Sequence, residues 1–156
     1  MHTLPCGRKR PSHSPKTNWR KILSEYLKSE GHRATGPRDK VAEVAFQQPS
    51  HFEIRTLVEE VQRRFPEISP ATVYRSVKTL CDAGLLHETL QNHTGVTLYE
   101  VHEDGHHDHV VCIDCGEIFE FHDEGLENAQ NKAVKSLSFD AESHKHVIYA
   151  HCTFKK

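Results

Sequence analysis

His106, His107, Asp108 and His109 stand in a row, and Cys112 and Cys115 follow in Cys-Ile-Asp-Cys-Gly, so nitrogen, oxygen and sulfur donors crowd into ten positions. Imidazole, carboxylate and thiolate are the ligands of zinc and iron, and a Cys-x2-Cys turn ending in Gly presents two thiolates to one ion. The apolar Val110-Val111 beside the run reads as extended chain, in which successive side chains point to opposite faces. His107 and His109 then share one face, and His106 and Asp108 the other. This alternation predicts two metal sites on either side of one strand, with the cysteine pair forming a third. The bland alternative is a polar, histidine-rich loop, which the adjoining Cys-x2-Cys disfavours.

A chain of 156 residues suffices for one ordinary domain or two small ones. With 36% hydrophobic and 27% charged residues it reads as a soluble globular chain, and no apolar run is long enough to span a bilayer. The first ten residues are basic with no apolar stretch after them, which argues against a secretory signal and for the cytoplasm. Five cysteines, an odd number, fit a reducing compartment and metal ligation better than a disulfide framework. Charge divides along the chain. Residues 1–90 carry 15 Lys/Arg against 10 Asp/Glu, whereas residues 91–156 carry 5 against 12. A basic first half suits a polyanion, and an acidic, histidine-rich second half suits cations.

The elements that must hold these residues are legible in outline. Residues 1–16, with Pro5, Pro11 and Pro15 among Arg, Lys and Ser, read as a flexible basic extension. Asn18 can cap a helix whose apolar Trp19, Ile22, Leu23, Tyr26 and Leu27 recur at helical spacing up to Gly31. Thr35-Gly36-Pro37 opens a second helix with Val41, Val44 and Ala45 inward, and a third runs from about Phe52 to Phe65. Ser69-Pro70 starts a fourth, with Val73, Val77 and Leu80 on the buried face and Thr72, Tyr74, Arg75 and Lys78 off it. Leu85 to Leu90 and Val96 to Val101 then form a hairpin around Asn92-His93-Thr94-Gly95. Short helices, a last helix with exposed Arg and Tyr, and a hairpin describe a winged helix-turn-helix over 17–101. The alternative for Tyr74 and Arg75 is an ordinary solvated helix face.

Residues 102–156 change character. Strands at Val110 to Cys112 and Ile118 to Phe121, a helix from about Leu126 to Leu137 and a strand from His144 to Ala150 make a small α/β unit. About 55 residues usually need a metal or a partner subunit. The fold class expected is α+β.

Three segments carry a family resemblance: Ser69-Pro70-Ala71-Thr72-Val73-Tyr74-Arg75, His106 to Phe121, and His144 to Cys152. Their order resembles the ferric uptake regulator family of bacterial metal-sensing repressors, over roughly residues 19–154, which implies that residues 102–156 are a small α/β dimerisation domain that binds metal. The resemblance implies a regulatory site of His51, Glu100, His107, His109 and Glu120 for Fe(II) or Mn(II). It implies a second site of His106, Asp108, Glu127 and His144, and a structural Zn(II) on Cys112, Cys115 and Cys152. The fuller family pattern has a further cysteine near Cys152 that this sequence lacks, so His151, Cys6, Cys81, water or another subunit would complete a tetrahedral zinc, or the site is empty. Cys6 and Cys81 read first as a free thiol in the tail and a small buried hydrophobe on a helix.

The implied partner is double-stranded DNA, an A/T-rich palindromic operator read by a homodimer or higher oligomer. Thr72, Tyr74 and Arg75 would face the major groove, and Arg33 a narrow minor groove. Glu120 favours an iron sensor over the peroxide-sensing branch, which has Asp there, and a site of nitrogen and oxygen alone counts against the zinc-sensing branch. A manganese sensor remains compatible. Outside this class stands the remote alternative of a metal-dependent hydrolase, which would need an open coordination position and a general base such as Glu120 or Asp108. A metal-storage protein leaves Tyr74, Arg75 and the wing unexplained.

Overall fold

The computed structural model describes residues 18–33, 35–101 and 106–153; the basic extension expected at 1–16, and Cys6 within it, lie outside these. Two compact units are present, one of Ser12–Asp104 and one centred on Gly105–Lys156.

In the first unit, α1 (Trp19–Ser29) buries Trp19, Leu23 and Leu27, one residue per turn. Trp19 stacks on Phe46 with ring centroids 4.9 Å apart. The Asn18 side chain makes no capping bond; its carbonyl instead accepts from the N–H groups of Lys21 and Ile22 at 3.2 and 3.3 Å. Gly31, at φ +67°, takes the left-handed turn that closes the helix, and His32 N–H returns to Leu27 O at 2.7 Å. Without that turn Arg33 would continue the helix.

Helix α2 (Gly36–Ala45) buries Val41, Ala42, Val44 and Ala45. The third helix does not begin at Phe52. Residues His51–Glu53 form a short strand, β1, and α3 runs over Ile54–Arg64. Phe52 is held extended because it pairs with Tyr99 and is buried. Helix α4 (Pro70–Asp82) is capped as expected, Ser69 Oγ accepting from Thr72 N–H at 3.3 Å. Strands β2 (Leu86–Gln91) and β3 (Thr97–Val101) follow, and Asn92 Oδ1 accepts from the N–H groups of Thr94 and Val96 to hold the loop. The sheet is antiparallel in the order β1-β3-β2. Its core joins Leu27, Val41, Leu57, Val61, Val77 and Leu80, and each such side chain contributes about 1.5–3 kcal/mol by leaving water.

The second unit contains β4 (Asp108–Cys112), β5 (Ile118–Phe121), α5 (Glu124–Ser136) and β6 (Val147–Ala150). Its sheet runs β5-β4-β6, with β5 antiparallel and β6 parallel to the central β4. Asp123 caps α5 by accepting from Leu126 N–H at 2.9 Å, so the helix starts two residues before Leu126. The last strand is shorter than the 144–150 expected, with His144 ahead of it. Leu126, Ala129, Ala133 and Val134 stand at helical spacing on one side of α5, yet no residue of the helix is buried. Together the units are α+β. Among the described residues no helix is long and apolar enough to cross a membrane.

Candidate metal centres and recognition helix

Alternation along β4 sorts the ligand-rich run as strand geometry requires. His106 Nε2 lies 3.1 Å from Asp108 Oδ1, and the rings of His107 and His109 meet edge-on at 5.1 Å. Two further elements complete the first group. Glu127 comes from the first turn of α5, its Oε1 3.2 Å from His106 Nε2, and His144 precedes β6, its Nε2 3.4 Å from the same oxygen. One ligand atom from each of His106, Asp108, Glu127 and His144 lies within 4.8 Å of all the others.

The electrostatics of this cluster favour a cation. Asp108 is 1% exposed, and its Oδ2, like Glu127 Oε1, is buried without a hydrogen-bond partner among the described residues. Carboxylate oxygens in that position go unsatisfied unless a positive charge sits between them. Two imidazoles and two carboxylates match the donor set of a borderline divalent ion. Gln130, which sequence reasoning missed, donates from Nε2 to Glu127 Oε2 at 2.7 Å and lies 3.0 Å from His144 Nε2. Its signal was its place three residues beyond Glu127 on one helix face.

On the other side of β4, His109 is 6% exposed and opposite Glu120 of β5 in the register. In the first unit, His51 of β1 and Glu100 of β3 are directly opposite, with Nε2 to Oε2 at 2.8 Å. Glu100 is also buried.

The cysteines behave differently. Cys81, Cys112, Cys115 and Cys152 carry no disulfide. Cys112 and Cys152 line one small cavity together with His151. What ties the segments is Asp114, a residue sequence reasoning passed over inside the Cys-x2-Cys turn. Its Oδ1 is 2.8 Å from His151 Nδ1, and its Oδ2 accepts from Cys152 N–H at 2.6 Å. The bond to His151, then that to Cys152, holds the Asp114 carboxyl below its usual range. Parallel pairing of Cys112 with Ala150 makes this juxtaposition unavoidable, since two residues further on each chain stand Asp114 and Cys152.

Cys81, by contrast, packs against the core of the first unit, and burial pushes its thiol up to about 11. It should therefore alkylate with iodoacetamide on the order of 100-fold more slowly at pH 8 than an unperturbed thiol, because only the thiolate reacts. Peptide mapping after timed labelling measures this; ordinary reactivity at Cys81 would contradict the packing.

Helix α4 shows two faces. Val73, Ser76, Val77 and Leu80 are buried, whereas Tyr74 is 50% exposed and Arg75 is exposed as well. Among the described residues nothing pairs with the Arg75 guanidinium. Lys78 is engaged by Asp82 at 3.2 Å, and Thr72 Oγ1 lies 3.0 Å from Ser69 Oγ in the helix cap. Thr72 is thus committed first to the cap. Arg33 is exposed, its carbonyl accepting from Arg38 Nη1 at 3.1 Å.

A winged-helix unit followed by a small unit whose imidazoles and carboxylates gather around the buried Asp108 defines a class of protein, and comparison with known proteins gives it a family. The chain belongs to the ferric uptake regulator family, whose profile matches residues 29–152. The ferric uptake regulation protein of Bordetella parapertussis is 36% identical over 128 residues, covering 81% of this chain and 91% of that one. The Vibrio cholerae ferric uptake regulator superposes with a TM-score of 0.68 at 34% identity, covering 83% of this chain and 98% of that one. The Helicobacter pylori regulator, described with three functional metal binding sites, superposes with a TM-score of 0.77 at 25% identity over 90% of this chain and 95% of its own. Members of the family are transcription regulators, not enzymes.

Proposed function

We propose that this chain is an Fe(II)-responsive DNA-binding repressor of metal-uptake genes, working in the cytoplasm as a homodimer. The observation that carries the reading is the cluster of His106, Glu127 and His144 around the buried Asp108 in a chain whose other unit presents Tyr74 and Arg75 from a recognition helix. The regulatory ion takes His51 and Glu100 from the first unit and His107, His109 and Glu120 from the second. Nitrogen and oxygen donors suit Fe(II) or Mn(II). Zinc belongs to Cys112, Cys115 and Cys152, and the Asp114 contact makes His151 the best-supported fourth ligand, a carboxylate-oriented imidazole being a common zinc arrangement.

Ligands drawn from both units restrict the arrangements these sample, so metal acts by population shift and by no more than its differential affinity for the DNA-competent state. Dimerisation has its own support. Leu137, Phe139, Ile148 and Tyr149 of the second unit are large apolar side chains exposed by 71, 67, 40 and 49%, and a second copy of the chain covers part of this apolar surface.

The test is a gel-shift titration of palindromic A/T-rich DNA with and without Fe(II) or Mn(II); metal-independent binding would refute the reading. In the same assay Arg75→Ala is expected to cost about 1–3 kcal/mol and relax sequence preference at one position. Arg33→Ala should cost most on A/T-rich flanks and less when these are G·C. Equal losses on every DNA would make both residues phosphate contacts.

A further inference from the structure

Glu100 sits on the central strand of the first unit's sheet, and the register places a histidine opposite it on each side, His51 on β1 and His87 on β2. Directly opposed residues of an antiparallel sheet share a face, so the three side chains form one row. Each carboxylate oxygen has its own imidazole. Oε2 lies 2.8 Å from His51 Nε2, and Oε1 lies 2.5 Å from His87 Nε2. The His87 side chain is 42% exposed, against 5% for His51 and 6% for Glu100.

The row is held in place by the strand pairing beside it. Tyr99 O–H donates to Glu88 Oε1 at 3.0 Å, locking the neighbouring pair of the same two strands. The register then shifts between Glu88 and Gln91, and a bulge next to a site commonly fixes where a side chain is aimed.

We propose that His87 is a positioning residue for Glu100 in the regulatory metal site. This inference rests on the reading above, in which His51 and Glu100 are ligands, and adds a residue outside that ligand set. By donating Nε2–H to Oε1, His87 leaves Oε2 as the oxygen offered to an ion beside His51, so Glu100 binds through one oxygen in a fixed rotamer. Outer partners of this kind change metal affinity by about 10–100-fold when removed.

The experiment measures Mn(II) affinity of the full-length protein by competition with a fluorescent chelator, in a His144→Ala background that silences the second cluster. His87→Ala is expected to weaken Mn(II) binding about 10–100-fold. His87→Gln should recover most of the loss, because its amide N–H can donate to the same oxygen. Metal-free melting temperature, followed in parallel, separates loss of fold from loss of affinity. Unchanged Mn(II) affinity in His87→Ala overturns the proposal, as does a loss that Gln fails to restore, which would make His87 a direct ligand. If His51→Ala and Glu100→Gln also leave affinity unchanged, the failure lies in the regulatory-site reading itself.

Discussion

Replacing His109 by alanine is expected to abolish metal-stimulated operator binding while leaving the metal-free protein folded, and His107→Ala should do the same. His109 occupies the central strand of its sheet, buried to 6% exposure and opposite Glu120, with the His107 ring 5.1 Å away. An imidazole lost from a site of nitrogen and oxygen donors costs more than an outer partner, whose removal already weakens affinity about 10–100-fold. A 100-fold loss is about 2.7 kcal/mol. Metal can shift the conformational balance only by its differential affinity, so that loss falls directly on the switch. Operator affinity is measured against Mn(II) concentration, with circular dichroism and melting of the metal-free variants as controls. His109→Gln, which better preserves side-chain volume, guards against a packing defect. An unchanged metal response in both alanine variants would remove the proposed switch.

How far the sequence revealed this site depended on whether a ligand's partner was local. His106 with Asp108 and His107 with His109 follow from the two-residue period of a strand, which needs no tertiary knowledge. Glu127 and His144 entered only through the family resemblance, since no spacing rule links β4 to the first turn of α5 or to the approach of β6. His87 was missed for the same reason. Its meaning depends on the register that sets it opposite Glu100, and register is a property of two strands. Asp114 was visible as an acidic residue between two cysteines, but its bond to Cys152 N–H requires the parallel pairing of β4 with β6.

The fold shows a parallel contrast. Helices α1 to α4 were readable because their apolar faces make one core, so helical periodicity and burial coincide at Leu23, Val41, Leu57 and Val77. Strand β1 has three residues and a single apolar side chain, too little for a periodic signal. It exists because β3 offers hydrogen-bonding groups along one edge. In α5 the spacing and the burial part company: Leu126, Ala129, Ala133 and Val134 share a side, yet none is buried within the chain. A stripe with no internal partner marks a surface for another molecule.

That deficit makes Cys112→Ser the second large effect. Among the described residues of the second unit only Val111 and Cys112 are buried hydrophobic side chains, and at about 1.5–3 kcal/mol each they cannot offset the ordering of some fifty residues. A structural zinc contributes on the order of 10–16 kcal/mol in small metal-dependent domains at neutral pH. Cys112 ends the central strand and is 4% exposed, so serine preserves its shape while removing a thiolate. Zinc, dimer and DNA binding should be lost together, whereas Cys6→Ser should match the parent protein. Metal content by elemental analysis after mild chelation, with sedimentation for dimer mass, reads each loss separately. A dimer without tightly held zinc, or full stability in Cys112→Ser, would mean that packing against the partner copy, not the thiolate site, holds the second unit. The regulatory switch would survive that outcome, because its ligands are a different set of residues.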